Sequence, residues 1–398
     1  MLDFKLIRET AEKNKEDLFK FLRDIVRIPS FDGFEGDCMK RIAEEMEKIG
    51  YDKIEYDPLG NLIGTIGHGS HLIAMDGHSD VVGLGNPDDW SFDPLEGFED
   101  DKYIGGRGSS DMKGGLASMV YAGKIIKDLR LEGDYTLMVV ASVQEEDCEG
   151  RNWQYIINED KIIPECVIFG EPSNDRIFNA QKGRMEISIH TKGKSSHGSM
   201  PHLGVNAIYK MAPIISDIEK LNDELKDDGY MGKGTITVTG VTTHSPSTCA
   251  VCDDCTISVD RRLNSLESTD YALEQLRSLQ SVKDANADVT LFEFKGPSYT
   301  GKRYDVESLF PSWRLDESHK MCQALKSCFE GIYEREPEFA VISGSTNGIA
   351  TMGMHQIPSL IYGPGMLEKA HMSDEYTCKD MLVNACAVFA AFPLMYVE

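Results

Sequence analysis

Positive charge is scarce in this chain. Its 398 residues carry 41 Lys and Arg against 66 Asp and Glu, a formal net charge of -25. Nucleic acid and anionic membranes are held through Lys/Arg-rich faces, so bulk electrostatics excludes both as partners. Long apolar runs are also missing: no stretch of about 18 apolar residues stands out as a bilayer span. The opening segment from Met1 to Glu9 carries acids and lacks the apolar stretch of a signal peptide. A freely soluble, cytoplasmic protein is the resulting expectation. Ten cysteines are too sparse for a secreted disulfide scaffold and suit reduced thiols. No repeat or low-complexity tract is present, and the glycine-rich stretch Gly105 to Gly115 lacks the spacing of a phosphate loop.

What is present is a large apolar share, 41%, enough for the cores of two or three domains. Leu18, Phe21, Leu22, Ile25 and Val26 recur at helical spacing and stop before Pro29, and a second helix follows over 38–49. Strands are expected at 53–56 and 61–66. Two further apolar runs, 72–75 and 137–143, lead into His78 and into Glu145-Glu146, and a third, 166–169, leads into Glu171. A long helix from Asp111 to Leu129 lies between the first two. Alternating elements of this kind favour an α/β fold with a mainly parallel sheet flanked by helices.

The pattern changes at residue 183. Met185, Ile187 and Ile189 alternate with Glu186, Ser188 and His190, as in a half-buried strand. A helix (205–225), two strands (235–242 and 256–262), a helix (268–282) and a strand (288–294) complete a βαββαβ order, the layout of a ferredoxin-like α+β unit. α/β character then returns with a helix at 319–333, a strand at 359–362 and a last helix at 381–392. Residues 1–182 and 298–398 are thus expected to form one domain, interrupted by an inserted domain at 183–297.

Metal-ligand residue types stand where those strands end, and in open α/β sheets chemistry collects beyond the carboxyl ends of the strands. His78 is followed by Asp80, a carboxylate that can orient the imidazole through its other ring nitrogen. Asp111 opens a helix, where it also suits an N-cap. Cys249, Cys252 and Cys255 have the spacing of sulfur ligands. The strand alternation from Thr256 onward sends neighbouring cysteines to opposite faces, and no fourth follows at short spacing, so they read as structural.

Taken in order, Met75-Asp76-Gly77-His78-Ser79-Asp80, Ser110-Asp111-Met112-Lys113-Gly114-Gly115, Gln144-Glu145-Glu146-Asp147, Gly170-Glu171-Pro172-Ser173 and Ala370-His371-Met372-Ser373-Asp374-Glu375 resemble the co-catalytic zinc hydrolases. That family includes acetylornithine deacetylase, succinyl-diaminopimelate desuccinylase, aminoacylase and glutamate carboxypeptidase. The resemblance covers nearly the whole chain. It implies a zinc-peptidase-like sheet with an inserted lid and dimerisation domain, and two divalent ions, zinc by donor type with cobalt or manganese as substitutes. His78 would ligate one ion and His371 the other, Asp111 would bridge them, and Glu146 and Glu171 would complete the two sites. Glu145 would be the general base and then acid, with Asp80 orienting His78.

Gly193-Lys194-Ser195-Ser196-His197-Gly198 looks like the family's lid motif, which implies an oxyanion role for His197, reaching across a homodimer in dimeric members. Asp260-Arg261-Arg262 resembles the family's carboxylate-gripping arginine; the aspartate points to Arg262, with Arg261 open. Asn347 stands in a loop that resembles a substrate-lining one, where many relatives have aspartate. A cis peptide after Asp111 is a further family feature. Gln144-Glu145-Glu146-Asp147-Cys148, with Met185-Glu186-Ile187 and Asp260-Arg261-Arg262-Leu263, is most similar to a branch called selenium-metabolism-linked hydrolases, a label that reveals no substrate. The implied activity is hydrolysis of an amide or peptide bond in a small carboxylate-bearing substrate, an acyl amino acid or a dipeptide. The alternative is a non-catalytic metal- or ligand-binding relative of the same fold.

Overall fold

In the computed structural model, which describes residues 2–342 and 344–398, the larger unit is built on a nine-stranded sheet. Its strands run in the order Lys53–Tyr56, Leu62–Ile66, Tyr135–Ser142, His71–His78, Cys166–Phe169, Ser359–Ile361, Ile177–Gln181 and Trp313–Arg314. Phe339–Ile342 also pairs with Ile177–Gln181. The four middle strands, from Tyr135–Ser142 to Ser359–Ile361, are mutually parallel, whereas the pairings at either edge include antiparallel ones. Parallel strands covered on both faces need apolar residues at every position. Leu137, Val139 and Ala141 accordingly enter one core, and Met138 and Val140 enter the other.

The helix Lys113–Leu129 crosses that sheet at close range. A side chain on Gly115 would stand 1.9 Å from the Gly170 carbonyl oxygen, so glycine is what lets the helix after Asp111 lie against the loop that presents Glu171. The peptide bond Asp111-Met112 is cis.

The smaller unit is an antiparallel sheet in the order Thr235–His244, Asp254–Leu263, Gly183–Lys192, Asp288–Leu291. Met185, Ile187 and Ile189 form its core with the helices Ala207–Glu224 and Thr269–Ser278. Three details depart from the sequence reading. The expected helix at 268–282 breaks at Leu279 and resumes as Gln280–Ala285. The strand expected at 288–294 leaves the sheet after Leu291, because Glu293–Phe294 pairs with Val306–Glu307. Leu309–Phe310 then pairs with Gly183–Lys192, carrying the small sheet's pairing past residue 297.

One helix, Lys379–Val397, is long and apolar enough to cross a membrane, contrary to the expectation of no such run. About two thirds of its window (67%) is buried, and it packs on Lys113–Leu129, Lys320–Tyr333 and Phe4–Lys13 as a core helix. Its apolarity therefore serves the interior. Among the cysteines, Cys255 is buried in the small core, Cys252 has its Sγ 3.1 Å from the Asp254 carbonyl, and Cys249 is exposed. No cysteine belongs to a metal-ligand grouping among the described residues.

Candidate metal centre

Parallel strands deliver three of the candidate ligands, His78, Glu146 and Glu171. His78 ends the strand His71–His78 and is 1% exposed. Its Nδ1 lies 3.0 Å from the backbone carbonyl of Asp80, whose carboxylate is farther away at 3.8 Å. The backbone of Asp80 therefore does the orienting that the sequence reading gave to its side chain. That carboxylate instead accepts the backbone N–H of Glu146 at 2.9 Å, tying the strand end of His78 to the acidic turn.

On the ring's other side, His78 Nε2 is 3.3 Å from Asp111 Oδ1, 3.8 Å from Glu145 and 3.9 Å from Glu171. His371 Nε2 is 3.3 Å from Asp111 Oδ2 and 2.9 Å from Glu146. Each oxygen of Asp111 thus faces a different imidazole, the placement a bridging carboxylate needs. His78, Glu145 and Glu171 form one grouping whose donor atoms lie within 4.8 Å of one another, and His78, Asp111 and Glu146 form a second.

The electrostatics fit a cationic occupant. Burial raises Glu145 and Glu171 well above their ordinary range, and it takes Glu146 to about 7 with help from the Asp111 charge. Burial alone would also raise Asp111, but hydrogen bonds from His371 and His78 hold it far below its usual value. Hydrogen bonds to Asp111 and Glu146 raise His371 to about 10. Glu145 Oε1 and Glu146 Oε1 are buried without any hydrogen-bond partner. Asp111, Glu146, Glu171 and the two imidazoles offer a donor set that fits a pair of divalent ions, and orphaned carboxylate oxygens are costly to bury unpaired.

One buried residue arranges this from behind. Glu375 accepts the backbone N–H groups of Ser110 at 2.8 Å and Asp111 at 3.0 Å with one oxygen. Its other oxygen accepts Gly108 N–H at 3.0 Å and the Arg107 guanidinium at 2.8 Å. Its place four residues after His371 was the available signal. A second unforeseen support is Glu35, which accepts the backbone N–H of Gln144 at 3.2 Å, beside the turn that carries Glu145.

Beyond the ligands lies a cavity of about 330 Å³, lined by Glu145, Glu149 and Thr346 on one side and by Arg184 and Arg262 from the small sheet. Arg262 donates through Nε to Asp260 at 2.8 Å. Arg261 is fully buried and bound to Glu267 and Gln275, which leaves Arg262 as the arginine open to the cavity. Asn347 is corrected by the structure. It is 1% exposed, donates to Asp76 at 2.9 Å and accepts the Gly150 N–H at 2.8 Å, so it braces the core instead of lining the site. His197 is exposed, bonded to Ser199, and does not line this cavity within the chain.

Carboxylates and imidazoles gathered around Asp111, partly from the ends of parallel strands and partly from loops, suit a metal-dependent hydrolase, and the chain belongs to the peptidase family M20/M25/M40, which it matches over residues 74–394. More particularly, it is 49% identical over 395 residues to the uncharacterized protein YgeY of Escherichia coli K12, across 99% of this chain and 98% of the relative. It is 26% identical to a probable succinyl-diaminopimelate desuccinylase of Staphylococcus epidermidis, over 97% of this chain and 99% of that one. Its fold matches a dinuclear metal-binding peptidase of the M20 family from Bacillus subtilis with a TM-score of 0.70, at 15% identity, over 97% and 98% of the two chains.

Proposed function

We propose that the protein hydrolyses the amide or peptide bond of a small substrate bearing a free carboxylate, an N-acyl amino acid or a dipeptide. The observation that carries this reading is the split environment of Asp111, with one oxygen toward His78 and the other toward His371. His78, Asp111 and Glu171 would hold one divalent ion, and His371, Asp111 and Glu146 the second. When bound, two such ions, zinc by donor type, supply Lewis-acid polarisation of the scissile carbonyl and acidify a water.

The protein's own groups do the rest. Glu145, raised by burial and adjacent to a ligand, takes a proton from the attacking water and gives it to the leaving amine. Arg262 lines the cavity with only its Nε committed, to Asp260, and suits a substrate carboxylate through paired hydrogen bonds. His197, outside the cavity of its own chain, fits an oxyanion donor contributed from a second copy, as the lid-motif resemblance suggests.

The test is hydrolysis of a panel of N-acyl amino acids and dipeptides after reconstitution with zinc, cobalt or manganese. Activity should require metal and vanish in Glu145→Ala, with two ions per chain retained. Full activity in the variant would sink the assignment of Glu145. For the shared site, inactive His197→Ala and Glu145→Ala proteins should regain part of their activity on mixing; absence of any recovery would make each site self-contained.

A further inference from the structure

The small-sheet wall of the cavity holds two arginines, and one of them already binds two carboxylates. Arg184 and Arg262 stand opposite each other on paired strands. Arg184 donates through Nη1 to Glu149 at 2.8 Å and through Nη2 to Glu186, and its Nε points toward Asp260 at 3.7 Å. Both Nη atoms of its guanidinium therefore bind a carboxylate, while Nε has no hydrogen-bond partner. Arg262 commits only its Nε, to Asp260. Two arginines against Glu149, Glu186 and Asp260 leave the wall with an excess of one acid.

Glu149 is the decisive member because it lines the cavity and is nearly buried. A second substrate carboxylate entering beside it would meet a like charge where water is scarce, and would compete with Glu149 and Glu186 for the Nη atoms of Arg184. An uncharged, hydroxyl or amino end would meet an acceptor instead.

We propose that Glu149 sets substrate specificity: by engaging Arg184 inside the cavity, it makes the site take substrates with a single carboxylate and reject dicarboxylates such as succinylated amino acids. This inference rests on the hydrolase reading above. It separates the pocket from what the desuccinylase relative's name describes.

The test compares the metal-reconstituted chain with Glu149→Gln, which keeps the shape and removes the charge. N-butyryl-L-alanine and N-succinyl-L-alanine form the substrate pair, differing by one carboxylate. The native chain should favour the butyryl compound by at least about tenfold in kcat/KM, and Glu149→Gln should erase about tenfold of that preference, the size of one charge-assisted hydrogen bond. The gain should fall mainly on KM for the succinyl substrate. Calorimetric binding of butyrate and succinate to both proteins gives a second readout that needs no turnover. If neither substrate is hydrolysed with any metal, the hydrolase reading fails, while the butyrate-to-succinate binding ratio still decides the role of Glu149. A ratio that Glu149→Gln does not move overturns the inference. Tighter binding of succinate than of butyrate by the native chain also overturns it, with no variant required.

Discussion

The two imidazoles of the metal centre live in opposite surroundings. His78 is sealed at the end of a central parallel strand and held from behind by the Asp80 carbonyl. His371 is 55% exposed and sits in a loop with a positive φ of 61°. Its neighbourhood depends on Glu375, which gathers the N–H groups of the Asp111 loop. One half of the centre is thus built by the sheet, and the other is assembled from loops over it. The comparison teaches that two positions sharing one carboxylate can differ in how tightly the fold constrains them.

Asp111 belongs to both halves, so Asp111→Asn should cause the largest loss: roughly a thousandfold or more in kcat, about 4 kcal/mol at 1.36 kcal/mol per tenfold. Metal analysis should find both positions depleted. If one ion is retained at full occupancy, the carboxylate is not shared.

The single-histidine variants sharpen the contrast. His78→Ala should lower the stability of the metal-free protein by about 1–3 kcal/mol, because it strips buried polar groups of their partner. His371→Ala should cost less, about 0.5–1.5 kcal/mol, because its half-exposed ring still pairs with Asp111 and Glu146. Equal losses in chemical denaturation would abolish the distinction between the halves.

Chelation should resolve the same difference in the native protein. With limiting chelator, the ion on the His371 side should leave first, with an affinity about tenfold weaker or more, since fewer outer contacts fix that ligand. His371→Ala should lack the second, weaker step of a metal titration. A single release step in the native protein would count against the idea.

The smallest effect concerns Glu35, the buried acid near Asp80. Burial, aided by the Asp80 charge, raises Glu35 from 4.5 to about 8. Its folded pKa lies above its unfolded one, so the folded state binds the extra proton between those values. Stability of the metal-free protein should therefore fall as pH climbs from 4.5 to 8, by about 1 kcal/mol from this group after solvent relaxation. In Glu35→Gln that part of the slope should be missing from melting temperatures measured across the range.

His78, Glu145, Glu146 and Glu171 were legible because each follows an apolar strand, and strand ends in such sheets converge. Asp111 and His371 came from motif resemblance, since a helix start and a loop histidine carry little signal alone. The two-unit pattern was readable from the switch to period-two alternation at Met185. Arg184 and Glu149 escaped because their meaning lies in a pairing across 35 positions, from strand to turn, that no local pattern encodes. Asn347 misled for a related reason: a polar residue in a substrate-like loop gives no sign of whether it turns toward Asp76 in the core. The helix Phe4–Lys13 was overlooked, its mixed polar sequence hiding the buried face of Ile7 and Ala11.

The helix Lys379–Val397 has a consequence for how the chain is made. It packs against Phe4–Lys13, an element some 370 positions earlier, and against the central Lys113–Leu129. During synthesis the first helix must wait for the last before its apolar face is covered, whereas the strands and helices of the small unit all emerge together in the middle. The ribosome therefore releases a chain whose smaller unit can already be folded while its catalytic sheet still lacks a lining, and that interval is when a chaperone has most to protect.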